Sequence, residues 1–413
     1  MTALPRVAVA RGDQVADAGA LTAEAYLADR LVDADDDYER ELRDAQRRAR
    51  EATVLVATLE AGDGREVVVG TITLAPYGTS YAEVAEPGEL ELRMLAVAPE
   101  ARGRGVAEAL VTAAQREAVV AGARRLVLST LEAMRTAQRL YARLGFRPVP
   151  ARDWGHEDVR LLVHTWTPPA PPGVLTEVAC WPPLRTETTS AGWRLGLSHG
   201  LTRRANSAVV LVAPADVAAA VDEVEAVYTE NGQRPVVRLG RSPLEDAVAA
   251  ELRARHWVTA SETDVLVADL PLDGAAEACA LECTVTNTPD DAWLDAYLAV
   301  KSAGADREVA RAILAGGVAQ HVAARRGGAV VGVIRVAYEQ DWAALSCLVV
   351  DPLARRGGVG RALTLRALDL ALAHGARRAF LQVEAHNAVA ARLYSRLGFR
   401  PADAYAYREP APA

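Results

Sequence analysis

Two separated segments of this 413-residue chain recur later in the same order. The recurring pairs are V-A-P-E-A-R-G-R-G-V-A (Val97–Ala107) with V-D-P-L-A-R-R-G-G-V-G (Val350–Gly360), and L-Y-A-R-L-G-F-R-P (Leu140–Pro148) with L-Y-S-R-L-G-F-R-P (Leu393–Pro401). Both pairs keep one offset of 253 residues. Two motifs in a single register require that the stretch between them is duplicated with no net insertion. A repeat of this length predicts a repeated domain rather than a short solenoid unit.

Composition limits the classes of protein to which the chain can belong. With 51% hydrophobic and 24% charged residues, it is expected to form two or three globular domains. The net charge of −8 argues against a nucleic-acid partner or an anionic membrane surface. No apolar run approaches the roughly 18 residues of a membrane span, and the N-terminus shows no signal-peptide pattern. The sequence therefore predicts a cytoplasmic protein that has neither nucleic acid nor membrane as a partner.

The cysteines do not predict a metal site. Cys279 and Cys283 are close in sequence, but no histidine or second cysteine pair completes a ligand set. Free buried thiols in a reducing cytoplasm are the simpler interpretation of all four cysteines.

A proline-rich stretch divides the chain. The segment T-P-P-A-P-P-G (Thr167–Gly173) favours an extended spacer. Strands and amphipathic helices alternate on both sides of it, which indicates α/β domains with mixed sheets. The predicted organisation has four parts: an N-terminal domain (1–166), a linker (167–174), a middle lobe (175–274) and a C-terminal domain (275–413).

The middle lobe repeats the strand and helix order of its neighbours. We predict strands at 209–214, 235–239 and 264–270, with helices at 216–230 and 244–255. Its first strand-to-helix connection, P-A-D-V-A-A-A, has no glycine-rich turn, and Arg253 stands where the flanking copies have tyrosine. We interpret this lobe as a third, eroded copy that completes a sheet or covers a cleft and does not catalyse transfer.

The glycine-rich turns predict phosphate binding. Glycine and small residues between a strand and a helix let backbone amides approach an anion at the positive end of the helix. Arg102 and Arg104 add positive charge at the rim. Such a turn is weak evidence alone, because many strand-to-helix turns contain glycine.

Together with the tyrosine about 39 residues later, the turn resembles the acetyl-CoA-dependent GCN5-related N-acetyltransferase (GNAT) superfamily. The family signature Q/R-x-x-G-x-G/A is matched twice, by Arg102, Gly105 and Ala107, and by Arg355, Gly358 and Gly360. The resemblance covers roughly 5–165 and 281–408. It implies tandem domains, each with a central mixed, mostly antiparallel sheet flanked by helices.

The resemblance also implies which residues bind coenzyme A. In this family the turn amides hold the pyrophosphate and the preceding strand hydrogen-bonds the pantetheine arm. An asparagine often contacts that arm, and Asn387 matches it, whereas the first copy has Met134. The implied cofactor-binding residues are Leu95, Val97, Arg102, Gly103, Arg104, Gly105 and Ala107 in the first copy, and Leu348, Val350, Arg355, Arg356, Gly357, Gly358, Gly360 and Asn387 in the second.

The implied reaction is direct transfer of an acetyl group from the thioester to an amine. Tyr141 and Tyr394 match the family's proton donor to the departing thiolate. Members with a glutamate base carry it eleven residues before the signature Q/R, which selects Glu91 in the first copy and Ala344 in the second. Packing roles for the tyrosines and a surface role for Glu91 remain open. Asp341 or Glu339 acting through water is a weaker substitute in the second copy.

The sequence thus predicts an acetyl-CoA-dependent N-acetyltransferase acting on the primary amine of a small molecule. One alternative is an acyl-CoA-binding regulatory module with a single active lobe, and another is a tandem enzyme of specialised thiol or metabolite biosynthesis. The acceptor is not identified; the candidates for lining its pocket are Tyr26, Tyr77, Tyr81, Trp154 and Trp293.

Overall fold

The computed structural model describes residues 5–33, 37–62, 64–156, 159–272, 281–301 and 304–412. The chain forms two compact units. Unit 1 is the N-terminal part up to Pro169 together with Ala388–Ser395; unit 2 runs from Ala170 to Asn387 and resumes at Arg396. The unit boundary falls within the predicted linker, while the predicted limit at 274/275 lies outside the described residues, so the domain limits stay a prediction. No helix in the described ranges is long and apolar enough to cross a membrane.

Unit 1 is built on one mixed sheet. Its strands are β1 (Arg6–Val9), β2 (Thr53–Glu60), β3 (Glu66–Pro76), β4 (Glu89–Val97), β5 (Arg125–Leu131), β6 (Arg147–Pro148), β7 (Trp154–His156) and β8 (Val159–Trp166). They lie in the order β1-β2-β3-β4-β5-β8-β6, with β7 also paired to β8. Only β4 and β5 are parallel, because a helix connects them.

Five helices cover this sheet: α1 (Gln14–Ala28), α2 (Asp37–Arg43), α3 (Ala45–Glu51), α4 (Val106–Val120) and α5 (Arg135–Arg143). The apolar face of α4 carries Leu110 and Val111, both fully buried in the core. Burying each such side chain contributes about 1.5–3 kcal/mol. Gly70 on β3 permits the close approach, because a Cβ there would lie 2.6 Å from Val106 Cγ1.

Unit 2 contains a longer sheet. Its strands are β9 (Arg185–Thr188), β10 (Arg194–Leu197), β11 (Ala208–Val209), β12 (Val237–Leu239), β13 (Trp257–Asp269), β14 (Glu282–Thr286), β15 (Val318–Arg326), β16 (Ala329–Glu339), β17 (Trp342–Val350), β18 (Arg378–Glu384) and β19 (Arg400–Pro410). The order is β14-β15-β16-β17-β18-β13-β19-β12-β11-β10-β9. The parallel pairs are β17 with β18 and β11 with β12.

The remaining helices are α6 (Val174–Cys180), α7 (Val217–Glu230), α8 (Asp246–Ala254), α9 (Asp291–Lys301), α10 (Arg307–Leu314), α11 (Val359–His374) and α12 (Ala388–Arg396). Within unit 2, α7 and α8 form one core with β10 and β12, and α9 and α10 form another with β15 and β16. On the other face, Gly332 on β16 lets α11 approach as Gly70 does for α4: a Cβ there would lie 2.9 Å from Leu363 Cδ1.

Strand order in unit 2 is nearly symmetric about β13 and β19. Each follows the last helix of its own lobe, yet each pairs across to the other lobe: β13 lies between β18 and β19, and β19 lies between β13 and β12. The parallel pairs β11/β12 and β17/β18 flank this centre at matching positions. The two lobes therefore exchange strands, and each completes the sheet of the other.

The predicted fold class, α/β with mixed sheets flanked by helices, is confirmed. Differences are concentrated in the middle lobe. The strand predicted at 209–214 is reduced to β11, whereas the one predicted at 264–270 begins seven residues earlier as β13. The short strands β9 and β10 were not predicted, because their polar, interrupted sequences show little alternation.

Candidate active site

A bulge interrupts the strand before the glycine-rich turn in each copy. Met94 on β4 and Cys347 on β17 both have positive φ, 53° and 58°, and they are separated by the same 253 residues as the motifs. The register with the preceding strand shifts at both points. A non-glycine residue in this conformation is uncommon and often marks a functional position.

Beyond the bulges the parallel strands separate. Pairing of β4 with β5 covers only Glu89–Leu92, and pairing of β17 with β18 covers only Trp342–Leu345. The predicted cofactor-binding residues of the strands follow these paired segments; they are Leu95, Val97, Leu348 and Val350. A strand edge that is not paired in the sheet offers backbone groups to an extended ligand.

In unit 1 the strand leads through a short 3₁₀ turn (Pro99–Ala101) to α4. Gly103 and Gly105 have φ of +74° and +82°, and Gly105 is the N-cap of α4. No side chain caps this N-terminus. The amides at Ala107 and its neighbours in the first turn therefore have no capping side chain and suit an anion.

Unit 2 has the same construction at α11. After the 3₁₀ turn Pro352–Ala354, Arg356 takes the left-handed conformation (φ 64°) that Gly103 has in unit 1. Gly358 (φ +78°) is the N-cap of α11, again with no side-chain cap. A Cβ added to Gly358 would meet no atom within 4 Å, so this side of the turn is open. Gly357 belongs to the same turn, and Gly360 is the second residue of α11.

The signature arginines, Arg102 and Arg355, bind other parts of the protein, whereas the sequence predicted that Arg102 adds positive charge at the rim of the turn. The Nε groups of Arg102 and Arg355 donate to the carbonyls of Val97 and Val350, both at 3.3 Å. Arg102 also forms a bidentate ion pair with Asp29, at 2.8 and 3.0 Å. These side chains fix the turn to the strand, and the charge of Arg102 is already paired.

Tyr141 lies in the interior of unit 1, on α5. Its side chain is 5% exposed, and its ring packs on Phe146 with centroids 5.6 Å apart. Burial raises the pKa of Tyr141, so the phenol stays protonated at neutral pH. The pKa of Tyr26 on α1 is also raised. Burial is the main cause, and the phenols of Tyr38 and Tyr141 contribute in the same direction.

Glu91 is fully buried and holds a loop. Its Oε2 accepts hydrogen bonds from the backbone N–H groups of Glu83, Val84 and Ala85, at 2.8, 2.7 and 3.0 Å. These residues belong to the connection between β3 and β4. Its Oε1 has no hydrogen-bond partner among the described residues and lies 4.0 Å from Nε of Arg93. Burial raises the pKa of Glu91, while the three N–H groups and Arg93 act in the opposite direction.

An aromatic and basic group surrounds the bulge of β4. Arg93 donates to the Tyr38 hydroxyl at 3.5 Å and pairs with Glu83 at 2.7 Å. The Tyr26 and Tyr38 rings are 6.5 Å apart in an edge-on arrangement. Of this group the sequence indicated only Tyr26; Tyr38 and Arg93 have no motif that marks them.

Other acceptor candidates are dispersed. Tyr81 packs in the small core that contains Met94, and Tyr77 is 54% exposed. Trp154 donates to Ser129 Oγ at 3.0 Å. Trp293 is a core residue whose Nε1 donates to the carbonyl of Val322 at 3.1 Å.

The second copy differs at the remaining positions. Ala344 is buried in an apolar core, and Asp341 pairs with Arg378 at 2.9 Å. Asn387 directly precedes α12, and its backbone N–H donates to the carbonyl of Glu384 at 2.8 Å. Tyr394 is 7% exposed on α12, within the segment that groups with unit 1.

No group of three or more potential metal ligands occurs among the described residues. Cys180 and Cys347 are free thiols. Cys279 lies outside the described residues.

Curated relatives match only a short part of the chain. The mycothiol acetyltransferase of Amycolatopsis mediterranei is 50% identical over 50 residues, and that of Beutenbergia cavernae is 51% identical over 59 residues. These matches cover 12% and 14% of this chain, and only 17% and 20% of the relatives.

Solved structures are similar at greater distance. A GCN5-related N-acetyltransferase from Kribbella flavida is 16% identical with a TM-score of 0.45, covering 59% of this chain and 97% of that one. A tandem GNAT protein from the clavulanic acid biosynthesis pathway is 16% identical with a TM-score of 0.33, covering 99% of both. At these values neither bears on substrate or mechanism.

Family models give the clearest assignment. The model of the acetyltransferase (GNAT) family matches residues 21–146. The model described as "Probable histone acetyltransferase Rv0428c C-terminal" matches residues 176–408, more than half of the chain. The chain belongs to this second family, and its N-terminal part, residues 21–146, matches the GNAT acetyltransferase family.

Proposed function

We propose that the protein is an acetyl-CoA-dependent N-acetyltransferase that transfers an acetyl group to the primary amine of a small molecule by direct attack. The observation that carries the proposal is the pairing, twice in one chain, of a bulged strand with an uncapped helix N-terminus. An extended thioester arm suits the separated strand edge, and a pyrophosphate suits the amides of the turn.

In this reaction the neutral amine nitrogen bonds to the thioester carbonyl carbon, and the carbon–sulfur bond breaks. The amine loses a proton, and the departing thiolate gains one. Tyr141 suits the second transfer, because burial raises its pKa and keeps the phenol protonated. Tyr394 is assigned the same role by its position in the repeat. The base implied by the family resemblance is Glu91, and burial raises its pKa. Three backbone N–H groups donate to its Oε2, however, and favour a structural role in which Glu91 holds the connection between β3 and β4.

The proposed organisation is an N-terminal domain (1–166), a linker (167–174), a degenerate lobe (175–274) and a C-terminal domain (275–413). The strand exchange in unit 2 supports a middle lobe derived from the same ancestral domain. We place the protein in the cytoplasm, where acetyl-CoA is available and the free thiols of Cys180 and Cys347 stay reduced.

Two alternatives have specific support. Ala344 at the position of Glu91 favours a regulatory role for the second copy, with only one active lobe. The short matches to mycothiol acetyltransferases favour an enzyme of specialised thiol biosynthesis.

The test is calorimetric titration of the full chain with coenzyme A, together with acetyl-CoA turnover by Tyr141→Phe and Tyr394→Phe. We expect two sites per chain, and one site in Gly358→Ala, where a Cβ would enter the open turn. The double Tyr→Phe variant should lower turnover by about tenfold or more at unchanged affinity for coenzyme A, and each single variant should remove the share of turnover that its own site contributes. Absence of binding would refute the proposal. A loss confined to Tyr141→Phe would favour the regulatory alternative.

A further inference from the structure

A small cavity in unit 2 lies between the middle lobe and the helices on the α9 face of the C-terminal sheet. Its lining residues are Trp181, Leu201, Thr202, Tyr297, Ala310, Ile313 and Leu314. The first three come from the middle lobe, and the others from α9 and α10. The middle lobe, which lacks a glycine-rich turn, therefore supplies one wall of this cavity. The other wall belongs to the C-terminal lobe, which has such a turn.

Arg204 follows this wall directly and has unused donors. Its guanidinium lies over the Trp181 ring, 4.9 Å from the centroid. It forms no hydrogen bond or ion pair with any residue in the part of the chain that the structure describes. Burial acts to lower the pKa of Arg204, but Tyr405, Tyr407, Cys347 and Tyr297 hold it above its usual value. Arg204 therefore keeps its positive charge at neutral pH.

Arg204 is half-buried, and the fully buried arginines of unit 2 are satisfied by protein oxygens. Arg335 lies 5.3 Å from the Trp181 centroid, and its guanidinium donates to the carbonyls of Leu314, Cys180 and Gly316 at 2.8, 2.9 and 2.6 Å. Arg238 pairs with Glu177 at 2.7 Å. Arg204 differs from both, because none of its five N–H donors has a protein acceptor among the described residues. Arg335 is the second cation near the same Trp181 ring, so the two positive charges also repel each other.

The position of Arg204 connects it to the proposed transfer site. Cys347 is the bulge residue of β17, where that strand separates from β18. Tyr405 and Tyr407 on β19 have hydroxyls 3.4 Å apart and rings in edge-on contact. Cys347 packs against the core cluster that contains Trp181, and Arg204 lies over the Trp181 ring, so an anion held at Arg204 would lie on the same cluster as the bulge residue.

We propose that Arg204 binds a carboxylate of the amine on which unit 2 acts, so that the acceptor is a small amino acid-like molecule carrying an anionic group. The planar guanidinium fork matches a carboxylate in bidentate geometry. The inference rests on the proposed function and assigns the middle lobe a task, which is to supply the specificity-determining residue.

The test uses two amines that differ in one group, 4-aminobutanoate and its neutral amide 4-aminobutanamide. Calorimetric titration of the full chain without coenzyme A keeps the result independent of cofactor binding. We expect the carboxylate to bind at least about tenfold more tightly than the amide. Arg204→Gln should abolish this preference, and Arg204→Lys should retain part of it. The neighbouring Arg203→Gln, whose wild-type side chain pairs with Glu409, should retain all of it.

Equal binding of the two amines, or a preference that survives Arg204→Gln in a chain with wild-type thermal unfolding, would overturn the proposal. A carboxylate could also belong to the acyl group. If Arg204→Gln alters the affinity for succinyl-CoA relative to acetyl-CoA but not the preference between the amines, the assignment to the acceptor is wrong. Coenzyme A binding with no amine preference would leave the proposed function intact and reject only this inference.

Discussion

At the scale of single residues, the two bulged strands carry different chemistry on the same backbone. Glu91 and Arg93 of β4 correspond to Ala344 and Ser346 of β17. The two copies also differ in the length of the connection that precedes the bulged strand. Residues 77–88 join β3 to β4, whereas only Gln340 and Asp341 join β16 to β17. Since Glu91 binds the longer connection through three N–H groups, the second copy has no equivalent loop for a glutamate to hold.

This comparison leads to a prediction for Glu91. A glutamine keeps an oxygen for the three N–H donors but cannot accept the amine proton, whereas alanine removes both functions. We expect Glu91→Gln to retain most of the acetyl transfer and Glu91→Ala to lose it as the loop at 77–88 detaches. Hydrogen exchange at Glu83, Val84 and Ala85 would report the loop, and turnover would report the chemistry.

The opposite result has a clear signature. A proton-accepting role predicts a fall in turnover of about 10²-fold or more in Glu91→Gln with unchanged protection of the loop. That outcome would support the role of Glu91 as the base. The sequence placed this glutamate on the correct strand, but it could not show the three backbone donors, because they depend on how the preceding loop folds back.

At the scale of elements, the turns before α4 and α11 have the same backbone and different residues. Gly103 has φ +74° with no atom within 4 Å of an added Cβ, and Arg356 has φ 64°. A side chain in this conformation costs about 1–2 kcal/mol, and a glycine loses about 0.5–1 kcal/mol of backbone entropy relative to alanine. The net strain at Arg356 is therefore about 1 kcal/mol or less.

Reciprocal substitutions test this strain. We expect Arg356→Gly to raise the free energy of unfolding of unit 2 by up to about 1 kcal/mol, and Gly103→Ala to lower that of unit 1 by a similar amount. Urea unfolding followed by hydrogen exchange in each unit would measure both. Destabilisation by Arg356→Gly would mean that the contacts of the arginine side chain outweigh the strain.

Local patterns identified the elements of the outer copies well, because glycine turns and apolar periodicity are properties of neighbouring residues. They identified the middle lobe poorly. β11 has only two residues in ladder pairing, and β13 extends to 13 residues because it has partners on both sides. Partners that are distant in sequence decide such lengths, so no local pattern contains them.

At the scale of the whole molecule, the exchange of β13 and β19 was the feature least accessible from sequence. The repeat predicted a sheet for each lobe but not that Trp257–Asp269 would separate β18 from β19. The same exchange accounts for the cavity, because it holds the middle lobe against the C-terminal lobe, where Trp181 beneath Arg204 shares a core cluster with Cys347. Cofactor chemistry was readable from two short motifs, whereas the proposed acceptor site needs the shared sheet.

A sheet shared in this way should make unit 2 unfold as one cooperative body. Leu252 on α8 and Leu363 on α11 are buried in the separate cores of the middle and C-terminal lobes, and each Leu→Ala change should cost about 2–5 kcal/mol. Because β13 and β19 each belong to both lobes, we expect either variant to lower hydrogen-exchange protection across β10–β12 and β15–β18 together. Leu110→Ala in α4 is the matched control: it removes an equally buried leucine from unit 1 and should leave hydrogen-exchange protection in unit 2 unchanged. If Leu252→Ala exposed only β9–β12 and left β15–β17 at wild-type protection, the two lobes would be independent folding units despite their common sheet.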